Sequence, residues 1–378
     1  MRPAVGLYVH WPYCARLCPY CDFNVVKDRG REDEAAALAD AVVVDLAGQA
    51  ALLGPRRLTS IFFGGGTPSL MDPRWVARII DTAVKLWTPE RDLEITLEAN
   101  PTDAEAGRFA DLAAAGVNRL SLGLQSLDDK DLRFLGRNHD AASARRAADC
   151  AVARFPRVSM DMIYALPGQT PEAWSSALNA AVSLGAGHIS PYQLTIEAGT
   201  AFARAVGRGK FAPLAADIAA DLFDTTQTVL GSLGFDAYEV SNHARGPAAR
   251  SRHNLGYWRG EDYVGVGPGA HGRLTMDMTR HATLSPRTVS AYVEAVRREG
   301  RSVAPEPLAA REAALERLLM GLRTLEGVAT ADLEPLNIPA RRISRFRRFA
   351  EVRDGYLVAT ARGRPVLDRV IAELVDAG

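Results

Sequence analysis

Three of the four cysteines in this 378-residue chain, Cys14, Cys18 and Cys21, stand near its N-terminus. Thiolates spaced C-x3-C-x2-C share one short loop and can bind one soft metal centre. A structural zinc site needs a fourth Cys or His ligand, and none is obvious. His10 precedes the loop on a predicted strand, and Cys150 has a core position in an Ala-rich predicted helix. Three cysteines around a four-iron cluster would leave one iron open to a small molecule. The alternative is that the three cysteines bind zinc or are simply buried.

The charge and composition argue against several classes of protein. Lys and Arg together number 45, as do Asp and Glu, so the zero net charge gives no support for binding nucleic acid or an anionic membrane. The N-terminal segment lacks the apolar run of a secretory signal, and no apolar stretch of membrane-spanning length is apparent. We therefore expect a cytoplasmic protein without a transmembrane segment. In a reducing cytosol, clustered cysteines are metal ligands or catalytic groups more often than disulfides.

Elements that could position these cysteines follow along the chain, where apolar strands alternate with helical stretches. Runs rich in β-branched residues predict six strands, at 5–10, 58–63, 93–98, 118–124, 157–164 and 188–196. Stretches such as DPRWVARIIDTAVKLW and PEAWSSALNAAVSL predict the helices between them. Such alternation indicates parallel strands with crossover helices and an α/β fold class. Six units favour a closed or partly open barrel, with the site at the carboxyl ends of its strands.

Chemically distinctive residues occur where the predicted strands end. The glycine triplet of GGGTP (64–68) lets the backbone approach a ligand closely. Glu98 and Asp161 are acids within apolar strands, where they either bind a ligand or form a salt bridge across the barrel. Gln125 offers both a donor and an acceptor, and Arg137 offers a fork suited to a carboxylate.

Seven motifs support a family resemblance: YVHWPYCARLCPYCDF, FFGGGTPS, LEANP, RLSLGLQS, LGRNH, DMIYALPGQT and YEVSNHA. In this order they resemble the oxygen-independent coproporphyrinogen III oxidase group of the radical S-adenosylmethionine (SAM) superfamily, across nearly the whole chain. The resemblance implies a partial (β/α)6-type TIM barrel of the radical SAM type and a 4Fe-4S cluster on Cys14, Cys18 and Cys21. It also implies SAM contacts from Tyr8, Gly65, Gly66, Thr67, Glu98, Gln125, Arg137 and Asp161, with Tyr20 beside the cofactor. For Tyr8, a core tyrosine is nearly as good an interpretation.

Two features separate members of this group. The oxidases carry a further cysteine two residues after the third and a longer N-terminal segment, whereas this chain has Phe23 at that position and thirteen residues before Cys14. The stretch SRHNLGYW resembles the H-N-x-x-Y-W segment of heme chaperones in the same group. This resemblance implies heme as a third cofactor, with His253 as its ligand, and heme-accepting apoproteins as partners. The alternatives are that His253 and Asn254 form a hydrogen-bonded turn, and that the protein is the oxidase.

The sequence predicts three segments: a core barrel at 1–235, an extension with the H-N-x-x-Y-W stretch and a linker at 236–303, and a C-terminal domain at 304–378. The last is similar to a winged helix, with a helix, a hairpin and a final helix. Its basic stretch RRISRFRRF is interpreted as a solvated helix face, so no nucleic-acid partner is predicted. The sequence assigns no catalytic residue, and it leaves open whether SAM is turned over and whether the chain forms a homodimer.

Overall fold

The computed structural model describes residues 2–375. The strands are β1 (Ala4–Trp11), β2 (Tyr13–Cys14), β3 (Val26–Lys27), β4 (Arg57–Gly65), β5 (Thr88–Ala99), β6 (Arg119–Gln125), β7 (Arg157–Tyr164), β8 (His188–Gln193), β9 (Asp236–Ala237), β10 (His243–Ala244), β11 (Tyr263–Val266), β12 (His271–Met276), β13 (Thr279–Leu284), β14 (Glu306–Pro307), β15 (Val328–Ala329), β16 (Ala350–Arg353) and β17 (Tyr356–Ala359). The six predicted strands correspond to β1, β4, β5, β6, β7 and β8.

The helices lie between and after these strands. They are α1 (Glu32–Leu53), α2 (Pro73–Leu86), α3 (Asp103–Ala106), α4 (Phe109–Ala114), α5 (Asp129–Phe134), α6 (Ala141–Arg154), α7 (Pro171–Ser183), α8 (Ala201–Gly207), α9 (Ala216–Ser232), α10 (Arg252–Trp258), α11 (Val289–Glu299), α12 (Ala310–Gly321), α13 (Ala340–Arg345) and α14 (Leu367–Val375). Local chemistry fixes several starts: Asp72 and Thr170 cap α2 and α7 by accepting a backbone N–H, and each is followed by a proline at the first helical position.

The main sheet has the order β14-β13-β12-β11-β1-β4-β5-β6-β7-β8-β10-β9 within the described residues. Its central seven strands, from β11 to β8, are all parallel to their neighbours. The predicted α/β class and partial barrel are confirmed, and β11 adds a parallel strand that the sequence did not predict. Because β14 and β9 do not pair with each other, the barrel stays open on one side.

Helices cover the outer face of this sheet. Cys150 lies on α6, packs against the main core and donates through Sγ to the Ala106 carbonyl, as a helix position beside the core predicts. By length and composition alone, α1 could cross a membrane, which contradicts the expectation that no such stretch occurs. Half of that stretch is buried inside the protein, where Leu38, Val42 and Leu46 belong to the main core. The core helix of a folded domain has the same composition.

The C-terminal part has a hydrophobic core of its own, beginning at Ala314 on α12. A three-stranded sheet, β15-β17-β16, packs with α12, α13 and α14, which includes the predicted order of helix, hairpin and helix. The proline-containing segment predicted as a linker contributes β14, which pairs with β13 and extends the main sheet. Pro307 is tolerated there because an edge strand can do without one N–H donor.

Candidate functional site

The interior of the barrel is a polar cavity of about 430 Å³. Side chains alternate across a strand, and on β5 to β8 the inward positions carry polar groups, whereas barrel interiors are usually filled with branched apolar residues. The polar residues lining it from these strands are Thr96, Glu98, Arg119, Ser121, Gln125, Ser159, Asp161, His188, Ser190, Tyr192 and Gln193. Of these, the sequence predicts Glu98, Gln125 and Asp161 as cofactor-binding residues, and it also marks Tyr192 and Gln193 as unusual residues of the sixth strand. The period-two alternation of polar residues within apolar strands is the signal that could have found the others.

The cysteine loop lies over one end of this cavity. Cys14, Cys18 and Cys21 are unpaired thiols, and all three line the cavity. Asn24 anchors the loop, because its Nδ2 donates to the carbonyls of Pro268 and Arg287 at 2.9 and 2.8 Å. The predicted ligand set thus meets in one place.

His10 supports this loop from inside. Its Nε2 is 2.9 Å from the Asn24 carbonyl, and its Nδ1 is 3.1 Å from the Tyr8 hydroxyl. Both ring nitrogens are therefore engaged within the protein, which accounts for His10 without a metal.

The thiols have the chemistry that a multi-iron centre requires. Burial raises the pKa of Cys14 to about 11 and also raises that of Cys21, so positive charge must be supplied nearby before these thiolates form. Arg137 Nη1 lies 3.3 Å from Cys18 Sγ and supplies part of it. Within residues 2–375, no three His, Cys, Asp or Glu side chains are placed to hold a single metal ion. Three thiols that share one end of the cavity without converging on a single ion fit a four-iron cluster better than one zinc ion.

Gly65 and Gly66 let the end of β4 pass close to the cysteine loop. Gly65 has φ +106°, and a Cβ there would lie 2.5 Å from the His10 ring. A Cβ on Gly66 would lie 2.7 Å from the Tyr13 carbonyl oxygen. The next residue, Thr67, lines the cavity, and its Oγ1 accepts from Asn100 Nδ2 at 3.1 Å. Any side chain in the glycine pair would therefore push the cysteine loop outward.

Glu98 and Asp161 share the cavity without a cationic partner. Glu98 Oε2 accepts from the Gly65 N–H at 3.2 Å, and Asp161 Oδ2 accepts from Ser121 at 2.9 Å. Among the described residues, neither forms the salt bridge considered as an alternative, and Asp161 Oδ1 has no partner. Burial, and then the Asp161 charge, raise the pKa of Glu98 to about 8, while burial raises that of Asp161 to about 6. The pair is suited to a ligand that carries positive charge or hydrogen-bond donors.

Arg137, Gln125 and Tyr20 complete the wall beside the thiols. Arg137 bonds to Asn100 Oδ1 and, at 3.1 Å, to the Gly123 carbonyl, while its Nη1 is 3.4 Å from the Tyr20 hydroxyl. Gln125 has φ +66°, a left-handed conformation that is uncommon outside glycine and that occurs at functional sites. All three side chains line the cavity, as predicted.

Two predicted site residues lie outside the lining of the barrel cavity. Tyr8 and His253 are absent from the residues that line the cavity, whereas Asn254 lines it. His253 Nδ1 is 2.9 Å from Ser60 Oγ, its ring lies 4.9 Å from that of Phe62, and burial lowers its pKa to about 4. This placement favours the alternative of a hydrogen-bonded structural residue, and the heme-ligand role stays an untested prediction.

An open barrel of parallel strands, with a three-cysteine loop over a polar cavity, has the features of a radical SAM protein. The family model described as "Radical SAM superfamily" matches residues 8–181. "Radical S-adenosyl methionine domain-containing protein 1, mitochondrial" of Bos taurus is 42% identical over 329 residues, covering 85% of this chain and 74% of that protein. "Heme chaperone HemW" of Mycobacterium tuberculosis is 36% identical over 383 residues, covering 98% and 94%.

Among solved structures, coproporphyrinogen III oxidase (HemN) of Escherichia coli matches with a TM-score of 0.80. It covers 99% of this chain and 90% of that one at 20% identity, so it supports the fold alone. The chain therefore belongs to the radical SAM superfamily, in the family of the HemW proteins. Membership confirms the family resemblance drawn from the motifs and implies a 4Fe-4S cluster and SAM as cofactors.

Proposed function

We propose that this protein is a heme chaperone that binds a 4Fe-4S cluster, SAM and heme, and delivers heme to apoproteins. The observation that carries the proposal is the match to Heme chaperone HemW of Mycobacterium tuberculosis along 98% of this chain. Phe23 supports it, because the resembling oxidases have a cysteine at this position. Phe23 is 64% exposed and lines the cavity, where a phenyl ring can neither ligate iron nor transfer a proton.

In this proposal, Cys14, Cys18 and Cys21 hold the cluster and leave one iron for SAM. A bound cluster supplies one electron at low potential, which the sulfonium of SAM can accept. The chain's own residues bind and orient: Arg137 offsets the thiolate charge, and Glu98 attracts the cationic groups of SAM. The backbone of the GGGTP stretch leaves room for the methionine part of SAM beside the loop.

The proposed partners are heme and heme-accepting apoproteins, and the proposed compartment is the cytoplasm. The name of the bovine relative places that protein in mitochondria, so family membership alone does not determine the compartment of this protein. The chain carries 45 basic and 45 acidic side chains, so its net charge gives no support for a nucleic-acid partner, and none is proposed.

One preparation tests this function. Anaerobically reconstituted protein is titrated with heme and, separately, incubated with coproporphyrinogen III, SAM and a reductant. Heme absorbance should change on binding, and chromatography should find no protoporphyrinogen IX. A known oxidase preparation run in parallel shows that the assay detects turnover. Decarboxylated product in stoichiometric excess over the protein would instead assign the oxidase activity. Absence of heme binding would contradict the chaperone proposal.

A further inference from the structure

A second cavity of about 700 Å³ lies outside the barrel, between the barrel extension and the C-terminal part. We call it the interdomain groove. The lining residues that matter here are Tyr257, Tyr263, Met278, Ala310, Ala313 and Met320. Tyr257 belongs to α10, the same short helix whose Asn254 lines the barrel cavity. The H-N-x-x-Y-W segment therefore contacts both cavities, with its tyrosine in the groove.

Two phenol hydroxyls in this groove have no partner. Tyr263 is 9% exposed and packs its ring 5.3 Å from that of Tyr257. Within residues 2–375, neither hydroxyl makes a hydrogen bond to the protein, and neither oxygen is among the buried polar atoms that lack a partner, so both are accessible from the groove. Tyr292, by contrast, donates to Asp45 at 2.8 Å. The two free phenol oxygens are thus available to a ligand in the groove.

Met278 gives an independent indication of a ligand at the same place. It stands at the tip of the hairpin between β12 and β13, is 97% exposed, and has φ +63°. Tight hairpin turns favour Asn, Asp or Gly at such positions, because other side chains are strained there. A large apolar thioether kept exposed and strained at the rim of a groove is explained if it covers an apolar ligand.

The two walls of the groove differ in shape and chemistry. α12 contributes Ala310 and Ala313, whose small side chains leave space in the groove, and the barrel extension contributes Tyr257 and Tyr263. Arg273, Arg280 and Arg317 also line the groove. Each forms an ion pair, with Glu316, Asp262 and Asp332 respectively. Each also donates to a backbone carbonyl, that of Gly272, Glu261 and Arg259 respectively. Glu316, Asp332 and Glu334 line the same groove, so the charges of its wall are balanced.

We infer that the interdomain groove is the heme site of this protein, with a phenol oxygen of Tyr257 or Tyr263 as the iron ligand. The inference rests on the proposed function, since it names where a heme chaperone would hold its heme. The groove brings two tyrosines together with small residues of α12, and tyrosine is an established ligand class for heme iron. The two carboxylates of heme would lie toward solvent at the mouth of the groove, because the arginines of its wall are already paired with Glu316, Asp262 and Asp332. The barrel cavity of about 430 Å³ is left to the cluster and SAM.

The test is a titration of the reconstituted full-length protein with ferric heme, followed by absorbance. The double variant Tyr257→Phe/Tyr263→Phe keeps both rings and removes both oxygens, and Tyr356→Phe, on the exposed β17, is its matched control. Ala313→Trp fills the groove, and Leu319→Trp on the exposed face of α12 is its control. We expect the double variant and Ala313→Trp each to weaken heme binding by about tenfold or more, because they remove a ligand atom or occupy the space. Both controls should bind like wild type.

Met278→Asp tests the groove without the risk of misfolding that the other variants carry, since a side chain that is 97% exposed can change without disturbing a core. It should also weaken heme binding, while cluster absorbance and SAM affinity stay unchanged in every variant. Wild-type heme affinity in Ala313→Trp and in the double variant would overturn the groove assignment and leave the chaperone function standing. Wild-type protein that binds no heme would instead remove the proposed function itself.

Discussion

Replacing Glu98 by Gln should remove a pH dependence from SAM binding. The pKa of Glu98 is raised to about 8, first by burial and then by the Asp161 charge, so the free protein holds this carboxyl mostly protonated at neutral pH. SAM carries a sulfonium cation, which favours the ionised carboxylate. Binding at neutral pH should therefore release a proton, and SAM affinity should rise as the pH rises.

The magnitude follows from the ionised fraction of Glu98. With a pKa of about 8, that fraction grows from about 0.09 at pH ~7 to about 0.76 at pH ~8.5, so SAM should bind about eightfold more tightly at the higher pH. Glu98→Gln should bind more weakly by about 1–3 kcal/mol at the higher pH, as for a lost charge-assisted hydrogen bond. SAM's own titrating groups are common to both proteins, so their difference isolates Glu98.

Anaerobic calorimetry in two buffers of different ionisation enthalpy measures both the affinity and the number of protons released. Asp161→Asn adds a second control: removing that negative charge should lower the pKa of Glu98 and move the transition to lower pH. An identical pH profile in wild type and Glu98→Gln would refute the reasoning and return Glu98 to a structural role.

Four further outcomes are expected. Ala at any of the three loop cysteines should abolish the cluster absorption band of reconstituted protein, whereas Cys150→Ala should keep it. Gly66→Ala should destabilise the fold by about 1–3 kcal/mol in denaturant unfolding, because its Cβ meets backbone atoms, while Gly107→Ala, which has room, should not. Arg119→Met should cost about 3–5 kcal/mol in the same assay, since it removes the closer of the two arginines paired with buried Glu94 and the donor to Ser159. The free energy of unfolding should fall between about pH 4.5 and pH 8, because the raised pKa of Glu98 means that the folded state binds the extra proton, and Glu98→Gln should lessen that fall.

The sequence was sufficient for the strands that carry the site. The runs that became β1 and β4 to β8 are apolar and β-branched, so their type and order were predictable from local pattern alone. β11 and β12 were missed because their segment, YVGVGPGAHG, is rich in glycine and resembles a loop. The reason for glycine there is tertiary: a Cβ on Gly265 would lie 1.9 Å from the His271 carbonyl oxygen. No local pattern reveals such a contact.

Site residues were predictable where a chemically distinctive side chain stands near the carboxyl end of a predicted strand. Glu98 and Asp161 do line the cavity, because the carboxyl-terminal parts of parallel strands converge. For His253, the sequence could not say which side of a short helix faces which cavity. The structure places its ring against Ser60 and Phe62, and leaves Tyr257 of the same motif in the groove. Helix orientation depends on packing that becomes visible only in the folded chain.

The open barrel leaves two free sheet edges at which copies of this protein could aggregate. Unpaired strand edges recruit other strands, and a closed barrel has none, but this sheet ends at β14 and β9. Both are two residues long, and β14 contains Pro307, which has no N–H to offer an incoming strand. Just beyond β9, Glu239 pairs in an isolated bridge with Thr324 of the C-terminal part. The open side of the barrel can therefore remain open without presenting a template for aggregation.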